Sequence, residues 1–127
     1  MTTLVYRPLS HRRTRFNEEV HIPLNVSASD DEFVISAFVP GIRADELEIE
    51  VLADRILIEG EFLAPAEEEG LRLLRQEMPV GRFQRSIRLR SQLDASKAVA
   101  EVKDGLLTLT VPKAEHAKSR KIAVKAS

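Results

Sequence analysis

Three histidines and a short run of alternating glutamates are the residues of this 127-residue chain with the clearest capacity for chemistry. His11, His21 and His116 could ligate a metal or act as general bases. They are widely separated, lack metal-ligand spacing, and no Ser or Asp stands with them in a triad-like arrangement. Glu46, Glu48 and Glu50 are the second candidate, as a carboxylate cluster. Their spacing of two places them on one face of a strand, so a solvated acidic face is the better reading than a metal site. The chain has no cysteine, hence no disulfide framework and no thiolate nucleophile or ligand. Its glycines are single turn glycines rather than a phosphate-cradling loop. No enzymatic activity, cofactor or metal is expected.

A different kind of chemistry is suggested by residues that are out of place. In "GRFQRSIRLR" Arg85 shares parity with Phe83, Ile87 and Leu89, the apolar side of its strand. An unpaired buried guanidinium costs several kcal/mol. Either the strand lies at an edge and Arg85 snorkels to water, or it meets a carboxylate of another subunit, where planar bidentate pairing suits arginine. In the polar C-terminal segment, Ile122 and Val124 form an isolated apolar pair. Two apart, they project to the same side of an extended chain, as strand addition requires.

The elements that must carry these residues are strands. Phe33, Ile35, Ala37 and Val39 alternate before the turn Pro40-Gly41. Leu47, Ile49 and Val51 alternate with the three glutamates, and a helix would scatter them around its circumference. "RILIEGEF" sets Ile56 and Ile58 on one side and Leu57 on the other, with Gly60 expected to end the run. "KAVAEV" and "LLTLTV" flank Asp104-Gly105, a type I′ hairpin signal. Asp94 and Ser96 mark a helical turn before the first of these. Seven or so short strands with regular turns predict an antiparallel sandwich with little helix. Residues 62–80 form a connection too long for a plain meander, and "LRLLR" within it has enough apolar content to make a strand that pairs elsewhere. From Ala114 the chain reads as a mobile tail.

The net charge of −1 hides an asymmetry. Residues 1–16 carry four arginines and no acid, residues 113–127 sum to +4, and the body between sums to −9. Basic ends on an acidic body could bind nucleic acid, but these arginines are not interleaved with stacking aromatics and the body repels phosphate. Ends docking on acidic neighbours of the same kind is the more economical reading. No run approaches the ~18 apolar residues of a membrane span and no signal core is present, so a cytoplasmic protein is expected.

With these segments in view, the sequence resembles the small heat-shock proteins, whose core is the α-crystallin domain. The resemblance runs from about residue 21 to 113 and is carried by "FVISAFVPG", "RFQRSIRL" and "AEVKDGLLTLTVPK", in which Ala-x-x-x-Asp-Gly-x-Leu ends in Val-Pro-Lys. It implies an immunoglobulin-like antiparallel sandwich of seven to eight strands, with a short arm over residues 1–20 and an extension over 114–127. It implies a dimer formed by exchanging the strand in the 62–80 loop, with Leu71, Leu73, Leu74 and Arg85 at the contact. Ile122-x-Val124 resembles the family's tail motif, which docks in a neighbour's groove; here the groove would be lined by Leu47, Ile49, Val51, Ala98 and Ala100. The implied function is an ATP-independent holdase for unfolding client proteins, with Leu4, Val5, Tyr6, Leu9 and Phe16 of the arm as candidate client contacts. A related sandwich acting as adaptor or co-chaperone on a larger machine is the alternative. The arm is much shorter than usual in the family, and the proline that often follows Arg-x-Leu of the arginine-bearing strand is missing from "RLRSQLD".

Overall fold

The computed structural model describes residues 20–118 and 122–126. Seven strands are present among them: β1 Leu24–Ala28, β2 Glu32–Phe38, β3 Glu48–Val51, β4 Arg55–Phe62, β5 Gly81–Arg88, β6 Val99–Lys103 and β7 Leu106–Pro112. They form a four-stranded sheet ordered β1-β2-β7-β6 and a three-stranded sheet ordered β3-β4-β5, with every pair antiparallel. Only 3₁₀ turns, Ala44–Glu46, Ala95–Lys97 and Glu115–Ala117, represent helix among the described residues.

The alternation seen in the sequence is the mechanism of the sandwich. Phe33, Ile35 and Ala37 of β2, Ile56 and Ile58 of β4, and Leu107, Leu109 and Val111 of β7 all turn inward and are buried. Phe83 of β5 and Val39 lie wholly inside the same core. No charged or polar residue is buried among the described residues, so removal of apolar area from water, at about 25 cal/mol per Å², dominates the packing. The β6–β7 hairpin turns at Asp104 and Gly105, with φ of 52° and 77°, as a type I′ turn requires. The Gly105 carbonyl accepts from the Val39 N–H at 2.8 Å, which ties this hairpin to the end of β2.

Two expectations are corrected, those for Gly60 and for the start of β3. Gly60 does not end its strand: β4 continues to Phe62, and Gly60 pairs with Phe83 of β5. A Cβ on Gly60 would stand 2.5 Å from Phe83 Cζ, so the missing side chain makes room for a wholly buried ring. β3 begins at Glu48, because Glu46 belongs to the preceding 3₁₀ turn and accepts from the Arg43 backbone N–H at 2.9 Å. "LRLLR" forms no strand within the single chain, whereas residues 24–28, not singled out in the sequence, supply β1.

The two sheets have defined sides. The Val20 N–H donates to the Arg82 carbonyl of β5, and residues 20–23 lead directly into β1. One lateral side is therefore closed by β5 and β1. The edge strands β3 and β6 fall on the other side, where their inner faces meet the same core.

Candidate functional site

The side bounded by β3 and β6 is a groove whose apolar lining is only partly covered. Leu47, Ile49 and Val51 present their inward parity from the three-stranded sheet, and Ala98 does so from the approach to β6; all are half-buried against the core. Ala100, between them on β6, is exposed. Val102 completes the row and is half-buried, although the sequence reading stopped at Ala100. Its signal was present, since Ala98, Ala100 and Val102 share one parity in "KAVAEV". β3 and β6 are both edge strands, so backbone N–H and C=O groups flank the groove without ladder partners on their outer sides. Unpaired strand edges beside an apolar row are the kind of surface that extended segments join by strand addition.

The entry of β6 is fixed locally. Asp94 caps the 3₁₀ turn Ala95–Lys97, accepting from both the Ser96 hydroxyl and the Ser96 N–H. The hydroxyl contact, the larger influence, and the backbone N–H together hold the Asp94 carboxyl below its ordinary value, against the opposing effect of desolvation. Ala98 follows this turn directly, so the cap positions a groove residue.

Ile122 and Val124 are 85% and 93% exposed. Within the chain they do not enter the groove. Leu71, Leu73 and Leu74 are likewise exposed, and residues 63–80 contain no strand that could shield them. Leu63, Met78 and Val80 extend this uncovered set along the same connection; the sequence placed them in the long loop without assigning them a role. On the opposite sheet β1 has no ladder partner on its outer side, and Val26, which faces inward opposite buried Ile35, is 42% exposed. Leu4, Val5, Tyr6, Leu9 and Phe16 lie outside the described residues, as do His11 and Lys121.

Arg85 sits on the inward parity of β5, opposite Ile58, and is half-buried. Its Nη1 donates to the Ile22 carbonyl at 2.6 Å. β5 is an edge strand, and Arg85 reaches across that edge to the segment joining β5 to β1. No carboxylate pairs with it among the described residues. A main-chain acceptor 63 positions away in sequence is a partner that residue types alone do not reveal.

The remaining candidates stay apart. Among the described residues no group of three or more His, Asp or Glu is placed to hold a metal ion, and no helix is long and apolar enough to cross a membrane. His116 contacts the Gln92 side chain, anchoring the turn Glu115–Ala117 at the root of the tail.

Two antiparallel sheets, ordered β1-β2-β7-β6 and β3-β4-β5 around one core, make an α-crystallin-type sandwich. Residues 25–125 match the Hsp20/alpha crystallin family, and the chain belongs to that family. The 18 kDa antigen of Mycobacterium leprae (strain TN) is 34% identical over 103 residues, covering 81% of this chain and 68% of that protein. The 18 kDa heat shock protein of Streptomyces albus G is 30% identical over 103 residues, with 81% and 72% covered. Among solved structures, heat shock protein 16.0 from Schizosaccharomyces pombe superposes with a TM-score of 0.72 at 26% identity, over 84% of this chain and 100% of that one. Membership supports a chaperone role rather than an enzymatic one.

Proposed function

We propose that this chain is an ATP-independent holdase, which binds unfolding proteins and keeps them from aggregating, and which works in the cytoplasm as an assembly of dimers. The observation that carries this reading is the exposure of Ile122 and Val124 in a chain that also presents an open apolar groove. Ile122 and Val124 gain nothing from their own domain. In a neighbour's groove, beside Leu47, Ile49, Val51, Ala98, Ala100 and Val102, both side chains leave water.

The dimer in this reading uses the 62–80 connection. Leu71, Leu73 and Leu74 are uncovered in the single chain, and β1 offers an unpaired edge beside half-exposed Val26. An exchanged strand on that edge would cover both. Arg85 lies at the β5–β1 side, next to that edge, where it orders the Ile22 backbone leading into β1. Reversible opening of tails and grooves then gives clients transient access to apolar surface, with Leu4, Val5, Tyr6, Leu9 and Phe16 of the arm as further contacts.

The test is to heat a labile enzyme with this protein, without nucleotide, and fractionate the mixture by size. A holdase gives a soluble complex from which the enzyme is refolded on addition of an ATP-dependent chaperone. Recovery of the client only in the pellet, at every ratio tried, contradicts the proposal. Capture that requires a second chaperone throughout favours the adaptor reading.

A further inference from the structure

The outer face of the three-stranded sheet is charged at both ends and with opposite sign. Antiparallel register places Glu48 opposite Glu59 and Arg82 opposite Glu61, toward one end. Toward the other end Arg55 stands opposite Arg88, a like-charge cross-strand pair that disfavours the sheet when left uncompensated. The acidic end is answered at Glu59: Arg82 reaches it at 3.4 Å, and Gln84 donates to the same carboxylate at 3.1 Å. The basic end is left largely unanswered. Among the described residues its one ion pair joins Arg88 Nε to Asp54 at 3.8 Å, with both side chains more than half exposed, so most of the Arg88 donors remain available.

This basic end borders an open surface depression of about 590 Å³ lined by Ala53, Asp54, Arg88, Leu89, Arg90, Ser91 and Gln92. The chain bends at Arg90 and Ser91 as it leaves β5. The backbone N–H groups of Arg90, Ser91 and Gln92 donate to no backbone carbonyl among the described residues. Successive N–H groups of this kind at a bend, beside two guanidiniums and a hydroxyl, are the donor set that tetrahedral oxyanions require. Asp54 is the opposing group, and an anion taking up the Arg88 donors would displace its long contact.

We propose that this depression is a binding site for a compact, multiply charged phosphate group, held by Arg88, Arg90 and the 90–92 backbone, with Arg55 adding charge from β4. The net charge of the body disfavours phosphate only on average; the fold segregates that charge and leaves this corner basic. An extended polyanion is excluded by the same segregation, because the acidic end lies roughly 20 Å along the strands, at about 3.4 Å per residue. The site adjoins the root of the tail. Gln92 lines the depression, its carbonyl accepts from the Ala114 N–H at 2.8 Å, and its side chain contacts His116.

Isothermal titration calorimetry on the full chain tests this, using pyrophosphate, inorganic phosphate, ATP and a single-stranded oligonucleotide as probes. Saturable binding of pyrophosphate at about one per chain is expected, about tenfold tighter than inorganic phosphate because of its extra charge. ATP binding comparable to pyrophosphate places the recognised chemistry in the phosphates; markedly tighter ATP binding adds the nucleoside to the ligand. The double variant R88Q/R90Q, at exposed positions, should weaken pyrophosphate at least about tenfold, whereas R82Q, on the same face but engaged with Glu59, should leave it unchanged. Equal loss in both variants, no saturable binding in the unaltered chain, or an oligonucleotide binding more tightly than pyrophosphate each overturns the proposal.

Discussion

Replacing Ile122 and Val124 together by alanine separates folding from assembly. Both side chains are almost wholly exposed in the single chain, at 85% and 93%, so their truncation removes no packing from the domain. Its own thermal midpoint should move by less than the effect of about 0.5 kcal/mol that is usual for surface changes. Docked in a groove, the same substitutions delete three side-chain carbons from the isoleucine and two from the valine. At about 0.8 kcal/mol per buried carbon, each docked tail loses roughly 4 kcal/mol. The entropy of ordering the tail is common to both proteins and cancels in the difference. A loss of that size weakens each contact about a thousandfold, and avidity multiplies it over several contacts per particle. Size-exclusion chromatography with light scattering reads the result: the unaltered chain forms particles above the dimer, and the double variant stops at the dimer. Equal masses above the dimer in both proteins would refute the argument and transfer assembly to the N-terminal arm.

Three further outcomes follow from the geometry. Gly60→Ala forces a Cβ to 2.5 Å from a Phe83 ring that has no exposed side to yield toward, and should cost about 1–3 kcal/mol in chemical denaturation; adding Phe83→Leu should return part of that loss, and independent effects would show that the contact is relieved some other way. Arg85→Ala breaks a 2.6 Å hydrogen bond from a charged donor to the Ile22 carbonyl and should lower stability by about 1.5–3 kcal/mol; a drop in Tm that is the same at every protein concentration keeps the role within the chain, and one that grows on dilution moves it to the dimer contact. Deleting residues 64–76 should yield monomers by sedimentation, and an unchanged dimer mass rules out strand exchange through this loop.

Most of the sandwich was legible because alternation of period two is a direct consequence of having one face buried. Phe33, Ile35, Leu107, Leu109 and Val111 all obey it. Residues 24–28 obey it too, with Leu24, Val26 and Ala28 alternating with Asn25 and Ser27, but the run is only five residues long and Val26 stays half-exposed at an edge, so the strand emerges from its pairing with β2. Gly60 misled because a glycine inside a strand is indistinguishable in sequence from one that ends it; the Phe83 ring that fills its space is 23 residues away. The inward parity of Leu47, Ile49 and Val51 was legible, and all three are half-buried against the core, while Val102 fell beyond the residues considered. Arg85 was recognisable as misplaced, but its acceptor is a backbone carbonyl, which no side-chain pattern encodes. Glu46 shares the parity of Glu48 and Glu50, yet local turn chemistry claims its carboxylate for the Arg43 N–H.

Light scattering of a heat-labile enzyme, followed at its unfolding temperature with and without this protein and with no nucleotide present, bears most directly on the proposed holdase function. Scattering should fall progressively as the chaperone is added and be abolished near one chain per client, with ATP making no difference. Scattering that rises unchanged at several-fold excess, or that is suppressed only when ATP is supplied, contradicts the holdase account.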